Sequence, residues 1–128
     1  MKYLLDTCTF LWIVLAPDDL SERCRDAFID PVNEILLSPV SAWEITVKHA
    51  AGKLELDISP EEFVPKYRVL HGIESLPLDE SSALRLARLP AYHRDPFDRM
   101  LVCQALTTGA TILTPDPEIR RYPVNVLS

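Results

Sequence analysis

Four carboxylates stand where an α/β fold would bring them to one edge of a sheet. Asp6 follows the apolar run YLL, Glu44 lies within SAWEI, and two more acids stand in RDPFDRM and TILTPD, namely Asp98 and Asp116. Carboxylate oxygens with no histidine or cysteine ligand nearby favour Mg²⁺ or Mn²⁺. Such a site suits metal-assisted hydrolysis of a phosphodiester, because the metal lowers the pKa of a bound water.

Most of these acids also have a purely structural interpretation. If Asp95 is a helix N-cap, Asp98 is the third helical residue, where the helix dipole favours an acid by about 0.3–1 kcal/mol. Asp116 in TPDP is compatible with a turn or a cap. Asp6 is compatible with an acid that accepts hydrogen bonds from Thr7 or from the next helix. The metal interpretation therefore depends on the acids acting together.

Glu44 lacks a capping role in the preferred register of its helix. Ser38 precedes a proline and is therefore kept out of the helical region, which makes it the N-cap and Pro39 the first helical residue. Gly52 is the expected stop. Glu44 then lies in the helix interior among apolar neighbours, and both a functional and a structural role stay open.

Short apolar runs alternate with helical patterns along the chain. Strands are predicted in KYLLD, NEILLS, IESLPL, ATILT and VNVLS, and helices in TFLWIVLA, residues 19–29, PVSAWEITVKHAAG, SPEEFVPKYRVLHG, SSALRLARL and DPFDRMLVCQALTTG. This order predicts βαβ units and a mostly parallel sheet. Sites in such sheets form outside the carboxyl ends of the strands, which is where the four acids fall.

Two of the predicted helices have clear local signals. Ser59 and Glu62 form a capping box, and Pro65 is expected to strain or kink the helix that follows. The last helix has Pro96 at its first position and Gly109 as its stop.

Composition indicates a single globular domain that spans residues 1–128. Hydrophobic residues make up 48% and charged residues 25% of the chain. No apolar run approaches the roughly 20 residues that span a bilayer. The N-terminal MKYLLDTCTFLW is a poor signal peptide, so we expect a cytoplasmic protein without a membrane partner. Three widely spaced cysteines do not suggest a disulfide framework or a zinc site.

The net charge of −6 disfavours a protein that coats DNA through a basic surface. It does not exclude a nuclease, because acids that bind a metal are neutralised in the loaded site. Six arginines in the second half of the chain could form a local positive rim for a phosphate backbone: Arg85, Arg88, Arg94, Arg99, Arg120 and Arg121.

The motifs around the acids match a known family. LLDTCTFLW, SPVSAWEITVKHAAGKL, LARLPAYHRDPFDRMLVCQAL and GATILTPDPEIRRYPV follow one another in that family's order from residue 3 to 124. With these motifs the chain resembles the PIN-domain ribonucleases, and most closely the VapC-type toxins of bacterial and archaeal toxin–antitoxin pairs. The motifs LLDT, RDPFDRMLVCQA and ILTPD together are specific for this family, although each motif alone is weak evidence.

The resemblance implies a three-layer α/β/α sandwich and a metal-dependent endoribonuclease that cuts RNA. It implies Mg²⁺ as the cofactor, with Mn²⁺ able to substitute. The expected partners are the RNA substrate, a cognate antitoxin protein and a second copy of the toxin in a homodimer. The residues that it marks as catalytic and metal-binding are Asp6, Glu44, Asp98 and Asp116, the last often being an outer ligand.

Other residues near the acids are expected to assist them. Thr7, Asp95 and Thr114 match family positions that hold or surround the ligands. Arg94 and Arg99 are candidates to bind substrate phosphates or to pair with the acids, because arginine binds both groups well.

Three other functions remain to be weighed. A silent binding module with this fold would be marked by missing acids, but here all four are present. A haloacid-dehalogenase-like phosphatase requires a second aspartate two residues after the first, where this chain has Cys8. A nuclease that cuts DNA stays open, since no residue is identified that would read a 2′-hydroxyl.

Overall fold

Five strands and six α-helices alternate along the chain, which a computed structural model describes over residues 1–128. The strands are β1 (Lys2–Leu5), β2 (Glu34–Leu37), β3 (Glu74–Ser75), β4 (Thr111–Leu113) and β5 (Val126–Leu127). The helices are α1 (Thr7–Leu15), α2 (Glu22–Ile29), α3 (Pro39–Ala50), α4 (Pro60–Leu70), α5 (Glu80–Arg85) and α6 (Pro96–Thr108). None of the helices is long and apolar enough to cross a membrane.

All neighbouring strands of the single sheet run parallel, in the order β3-β2-β1-β4-β5. Tyr3 of β1 lies opposite Ile35 of β2 on one side and Thr111 of β4 on the other. The chain moves outward from β1 to β3 and then returns to the far side of β1. The strand order therefore reverses between β1 and β4, and a crevice forms beyond the carboxyl ends of these strands.

Alternate residues of the strands contribute side chains to two apolar layers, one on each face of the sheet. Leu5 packs with Phe10 of α1, together with residues of α2 and α4. Leu4 faces the other way and packs with Leu101 and Val102 of α6. Each of these side chains is fully buried, which favours folding by about 1.5–3 kcal/mol per residue. The predicted α/β/α sandwich is thereby confirmed.

Several helix ends lie where the sequence places them. Ser38 caps α3 by accepting a hydrogen bond from the Val40 N–H at 3.0 Å. Gly109 ends α6 in the left-handed region with φ of 77°, a conformation that glycine adopts without strain. The helix α4 runs through Pro65 without interruption, so the expected proline kink does not divide it.

Other boundaries differ from the prediction because hydrogen bonding shortens the elements. The helix predicted over 19–29 begins only at Glu22, since the Ser21 hydroxyl caps it by accepting from the Cys24 N–H at 3.1 Å. The third strand is reduced to Glu74–Ser75, just ahead of Pro77, which has no N–H to donate. The helix of SSALRLARL divides into α5 and a 3₁₀ turn.

A candidate metal centre at the carboxyl edge of the sheet

Asp6 lies at the end of β1, where the strand turns directly into α1. Its Oδ1 accepts a hydrogen bond from the Thr9 N–H at 2.8 Å, so the carboxylate caps the helix. Its Oδ2 accepts a hydrogen bond from the Thr114 hydroxyl. Asp6 is only 3% exposed. The structural interpretation of this acid as a helix cap is therefore correct, but the two protein donors do not neutralise its charge.

Thr114 ties the acid after β1 to the acid after β4. Besides donating to Asp6, its hydroxyl oxygen accepts from the Asp116 N–H at 3.0 Å. The Asp116 Oδ1 in turn accepts from the Glu118 N–H at 2.9 Å, which makes it a turn acid as well. Because β1 and β4 are adjacent strands, this single hydroxyl fixes both acids at the switch point of the sheet.

Glu44 enters the same edge from the interior of α3. The residue is 4% exposed, and its Oε2 accepts a hydrogen bond from the ammonium group of Lys48, one turn further along the helix. Its Oε1 is buried and has no hydrogen-bond partner. An ionised oxygen without a partner is unfavourable inside a protein. Glu44 therefore has room for one more positively charged ligand.

Asp95 and Asp98 share the start of α6 but have different surroundings. The Asp95 Oδ1 accepts from the Phe97 N–H at 2.9 Å and from the Asp98 N–H at 3.0 Å, which makes Asp95 the N-cap. The carboxylate of Asp98 has no backbone donor, and its Oδ2 lies 3.4 Å from the His93 Nε2. Its side chain is 14% exposed. Asp98 is thus the less satisfied acid of the pair.

The charges of these acids act on one another. Burial raises the pKa of Asp98 to about 8, and further contributions come from the negative charges of Asp95, Asp6, Glu44 and Asp116. Burial also raises the pKa of Asp6, against the hydrogen bonds from Thr114 and Thr9 that lower it. Partial burial and then the negative charges of Asp6, Asp116 and Glu44 raise the pKa of the nearby Cys8 thiol to about 11. The edge of the sheet therefore has excess negative charge.

Lys48 is the one lysine that forms an ion pair with an acid of this edge. The hydrogen bond to Glu44 raises the pKa of Lys48, burial opposes this, and the charges of Glu44, Asp95 and Asp98 add to the rise. Arg94 is exposed and forms no ion pair. It remains available for a phosphate group of a ligand.

Two residues expected to assist the acids have other partners. The Arg99 Nη1 donates to the Pro90 carbonyl at 2.8 Å and to the Tyr122 hydroxyl at 3.1 Å. This Nη1 therefore braces the loop before α6. The assignment of Arg99 as a phosphate-binding candidate stays a prediction. The Thr7 hydroxyl donates to the Ser41 hydroxyl at 3.0 Å, which joins α1 to α3 but does not contact an acid.

The donor set fits a hard divalent cation. Oxygen ligands suit Mg²⁺ and Mn²⁺, and Glu44 Oε1 is a buried carboxylate oxygen without a partner. A cation would also remove the mutual repulsion that raises the pKa of Asp98. No three acid, histidine or cysteine side chains form a ready-made metal site in the present side-chain positions. Metal binding would therefore require small side-chain rotations.

His93 and Lys48 contact the acids but were not predicted from the sequence. The prediction that no histidine lies near the acids is wrong, because the His93 Nδ1 lies 2.7 Å from the Tyr122 hydroxyl and its Nε2 faces Asp98. Only the tertiary contact with Tyr122 fixes this ring. In contrast, Lys48 could have been found, because it lies four residues after Glu44 on a predicted helix.

Solved structures with this fold include three complexes whose sequences are less than 20% identical to this chain. For VapBC2 from Rickettsia felis, bound to a DNA fragment from its promoter, the TM-score is 0.67 at 15% identity, covering 99% of this chain and 98% of that chain. For DNA-bound VapBC from Salmonella typhimurium the TM-score is 0.67 at 19% identity, covering 99% of this chain and 97% of that chain. VapBC-5 from Mycobacterium tuberculosis is a member of the VapBC family of toxin-antitoxin systems. For this structure the TM-score is 0.61 at 17% identity, covering 98% of this chain and 95% of that chain.

The family itself is identified from the sequence of nearly the whole chain. No curated protein matches it in sequence. The model of the PIN domain, however, matches residues 3–125, which includes all four acids. Together with the parallel sheet and the structural neighbours, this confirms the family that the motifs predicted. The chain belongs to the PIN-domain family.

Proposed function

We propose that this chain is a metal-dependent endoribonuclease that acts as the toxin of a toxin–antitoxin pair. One observation carries the nuclease part: four acids from separate elements meet at the switch point, and one of their buried oxygens has no partner. Phosphodiester hydrolysis by a metal-activated water needs such an arrangement and no covalent nucleophile. Membership of the PIN-domain family supports the same function.

Asp6, Glu44 and Asp98 are the residues that would hold the cation, with Asp116 beside them as an outer ligand. Mg²⁺ is the proposed cofactor and Mn²⁺ a substitute, since both prefer oxygen ligands. When bound, the ion supplies a water of lowered pKa as nucleophile and stabilises the negative charge that develops on the phosphate.

The remaining residues of the centre keep these ligands in place. The Thr114 hydroxyl holds the Asp6 carboxylate and the backbone of Asp116. Asp95 fixes the first turn of α6, so that the Asp98 carboxylate is left for the cation. The positive end of the helix dipole stabilises the ionised form of an acid at this position. Arg94, which is exposed one residue before Asp95, is the proposed contact for an RNA phosphate.

The proposed partners follow from the similarity to VapBC structures. We infer a cognate antitoxin and a second copy of the toxin as protein partners, in a cytoplasmic setting, with residues 1–128 acting as one nuclease domain. RNA is the proposed substrate because the motifs resemble those of ribonucleases in this family.

A cleavage assay with matched variants tests the nuclease proposal. The purified chain is incubated with single-stranded RNA and DNA of one sequence, with Mg²⁺ or with EDTA. We expect RNA cleavage only with Mg²⁺ and a loss of at least about 100-fold in Asp6→Asn, since asparagine still caps a helix but binds cations poorly. Asp18→Asn, at a fully exposed aspartate, is the control and should cleave normally.

Three outcomes would contradict the proposal. Cleavage in EDTA would exclude metal dependence, and full activity in Asp6→Asn would exclude the assigned site. Cleavage of DNA but not RNA would replace the ribonuclease with a deoxyribonuclease. If neither nucleic acid is cut while Mg²⁺ still binds, a silent binding module becomes the better description.

A further inference from the structure

A cleft of about 210 Å³ opens beside the acids, between α1 and α3. Its walls include Thr7, Trp12, the buried Glu44 and two lysines, Lys48 and Lys53. The side chain of Glu44 is 6% exposed, and its Oε1 is the buried oxygen without a partner. The cleft is therefore lined by a carboxylate with one unsatisfied oxygen and by two lysine side chains.

The end of α3 holds the two lysines next to each other. Gly52 adopts a left-handed conformation with φ of 71°, and its N–H donates to the His49 carbonyl at 3.1 Å. The Lys53 N–H then donates to the Lys48 carbonyl at 2.9 Å. This pair of bonds is a Schellman motif, which turns the chain back on the last helical turn. The position of Lys53 relative to Lys48 is thus fixed by the backbone.

Lys48 is the only lysine or arginine that forms an ion pair with the acids of the centre. Its ammonium binds the Oε2 of Glu44, yet its side chain remains 45% exposed. An ammonium group that is half in solvent on a flexible four-carbon chain can leave one partner for another at little cost. The buried carboxylate of Glu44 cannot move to solvent in the same way.

We propose that Lys48 is the internal counter-ion of the centre and, with Lys53, its phosphate-binding pair. In the metal-free protein Lys48 neutralises Glu44. A divalent cation at Glu44 displaces the ammonium into the cleft, where it binds, together with Lys53, a phosphate of the single-stranded RNA next to the bond that is cut. The phosphate-binding part rests on the proposed nuclease function.

The physical basis is competition for one carboxylate. A divalent cation and an ammonium group on the same carboxylate repel each other, so a cation bound at Glu44 weakens its ion pair with Lys48. The freed ammonium then regains a partner when a phosphate enters the cleft. Lys48 would therefore weaken metal binding in the absence of substrate and strengthen the binding of RNA to the loaded centre.

Calorimetric titration of Mn²⁺ into the metal-free protein tests the counter-ion role without any nuclease activity. We expect Lys48→Gln to bind Mn²⁺ more tightly than the wild type, by about threefold or more, since it removes a competing ion pair. Lys66→Gln makes the same change of charge at a lysine outside the cleft and should bind as the wild type does. Equal or weaker binding by Lys48→Gln would overturn the counter-ion role.

Binding of an oligonucleotide tests the phosphate role. The probe is a labelled single-stranded 2′-O-methyl oligoribonucleotide with Mg²⁺ present, read by fluorescence anisotropy at several salt concentrations and checked for intactness. Each lost phosphate contact lowers the slope of log affinity against log salt by about 0.7. We expect this loss in Lys48→Gln and in Lys53→Gln, but not in Lys66→Gln. Unchanged slopes in the first two variants would overturn the phosphate-binding pair.

These readouts separate this inference from the proposed function. Absence of RNA cleavage by the wild type would contradict the nuclease, whereas the Mn²⁺ titration and the anisotropy slopes would still decide the two roles of Lys48. Normal cleavage with unchanged affinities and slopes in Lys48→Gln would leave the nuclease intact and remove the inference.

Discussion

Two buried side chains of this protein, Glu44 and Gln104, each have one oxygen without a hydrogen-bond partner. Comparing them distinguishes a side chain that holds the fold together from one that belongs to the candidate metal centre. The Gln104 amide donates to the Leu76 and Pro77 carbonyls, both at 3.3 Å, and so attaches the segment after β3 to α6. Its free oxygen is neutral. Glu44 instead carries a charge among other acids. The unpaired oxygen of Gln104 lacks one hydrogen bond, whereas the unpaired oxygen of Glu44 could accept a cation.

The difference shows where the fold gives up stability. An unpaired neutral oxygen costs about 1–3 kcal/mol and needs no further compensation. Burial, together with the charges of the neighbouring carboxylates, raises the pKa of Asp98 to about 8, so ionisation of this acid opposes folding unless a positive ligand binds. Such a conflict between local stability and charge is typical of functional sites.

The largest expected effect separates the two acids at the start of α6. Asp98→Asn should lower RNA cleavage by at least about 100-fold, because changes to groups that only support a ligand already cost about 10–100-fold. Asp95→Asn should cleave nearly as well as the wild type, since asparagine is an equally good N-cap. Cleavage rates, with circular dichroism to confirm folding, provide the measurement. Equal losses in both variants would mean that the acids act only through the helix start.

A smaller effect is expected at the hydroxyl that links Asp6 to Asp116. Thr114→Val keeps the shape of the side chain but removes both hydrogen bonds. We expect Mn²⁺ affinity to fall by about 10-fold, within the range for groups that orient metal ligands. Isothermal calorimetry gives the affinity, and Thr108→Val, whose hydroxyl bonds only backbone groups far from the acids, serves as the control. An unchanged affinity in Thr114→Val would show that Asp6 needs no such support.

At Gln104 we expect a loss of stability without a loss of metal affinity. Gln104→Met keeps a similar volume but loses two hydrogen bonds, so the free energy of unfolding should fall by about 1–2 kcal/mol. Metal affinity and cleavage should not change, because the side chain carries no charge and lies away from the acids. Urea unfolding together with the Mn²⁺ titration measures both. A loss of metal affinity would show that the two regions are coupled.

The pH dependence of stability provides the smallest effect. The folded pKa of Asp98 is about 8, above the unfolded value near 4, so between these values the folded state retains a proton that the unfolded chain has released. Stability of the metal-free protein should therefore fall as pH rises from about 5 to 8. Asp98→Asn should reduce this slope, and Mg²⁺ should restore stability near pH 8. Identical slopes in both proteins, from urea midpoints, would contradict the raised pKa.

Local signals in the sequence were sufficient for most element boundaries. Pro39, Pro96 and Gly109 each mark a helix end through backbone geometry that depends only on the residue itself. The third strand was predicted too long, since its length depends on pairing with β2. Strand pairing is a tertiary property that a single apolar run does not encode.

The candidate site was predictable to a similar degree. The positions of the acids followed from the strand and helix order, and the motifs indicated the family. The partners of these acids did not follow from the sequence. His93 faces Asp98 because its ring bonds Tyr122, and the Nη1 of Arg99 donates to the same Tyr122 hydroxyl. These contacts join residues more than twenty positions apart, beyond the range of local patterns.

Titration of Mn²⁺ into the metal-free wild type and Asp98→Asn by calorimetry tests the central claim most directly. If the acids at the switch point form a cation site, the wild type binds Mn²⁺ and the variant binds it at least about 10-fold more weakly. Equal binding by the two proteins, or none by either, would contradict the claim. Asp98 would then be only a dipole-stabilising acid at the start of α6.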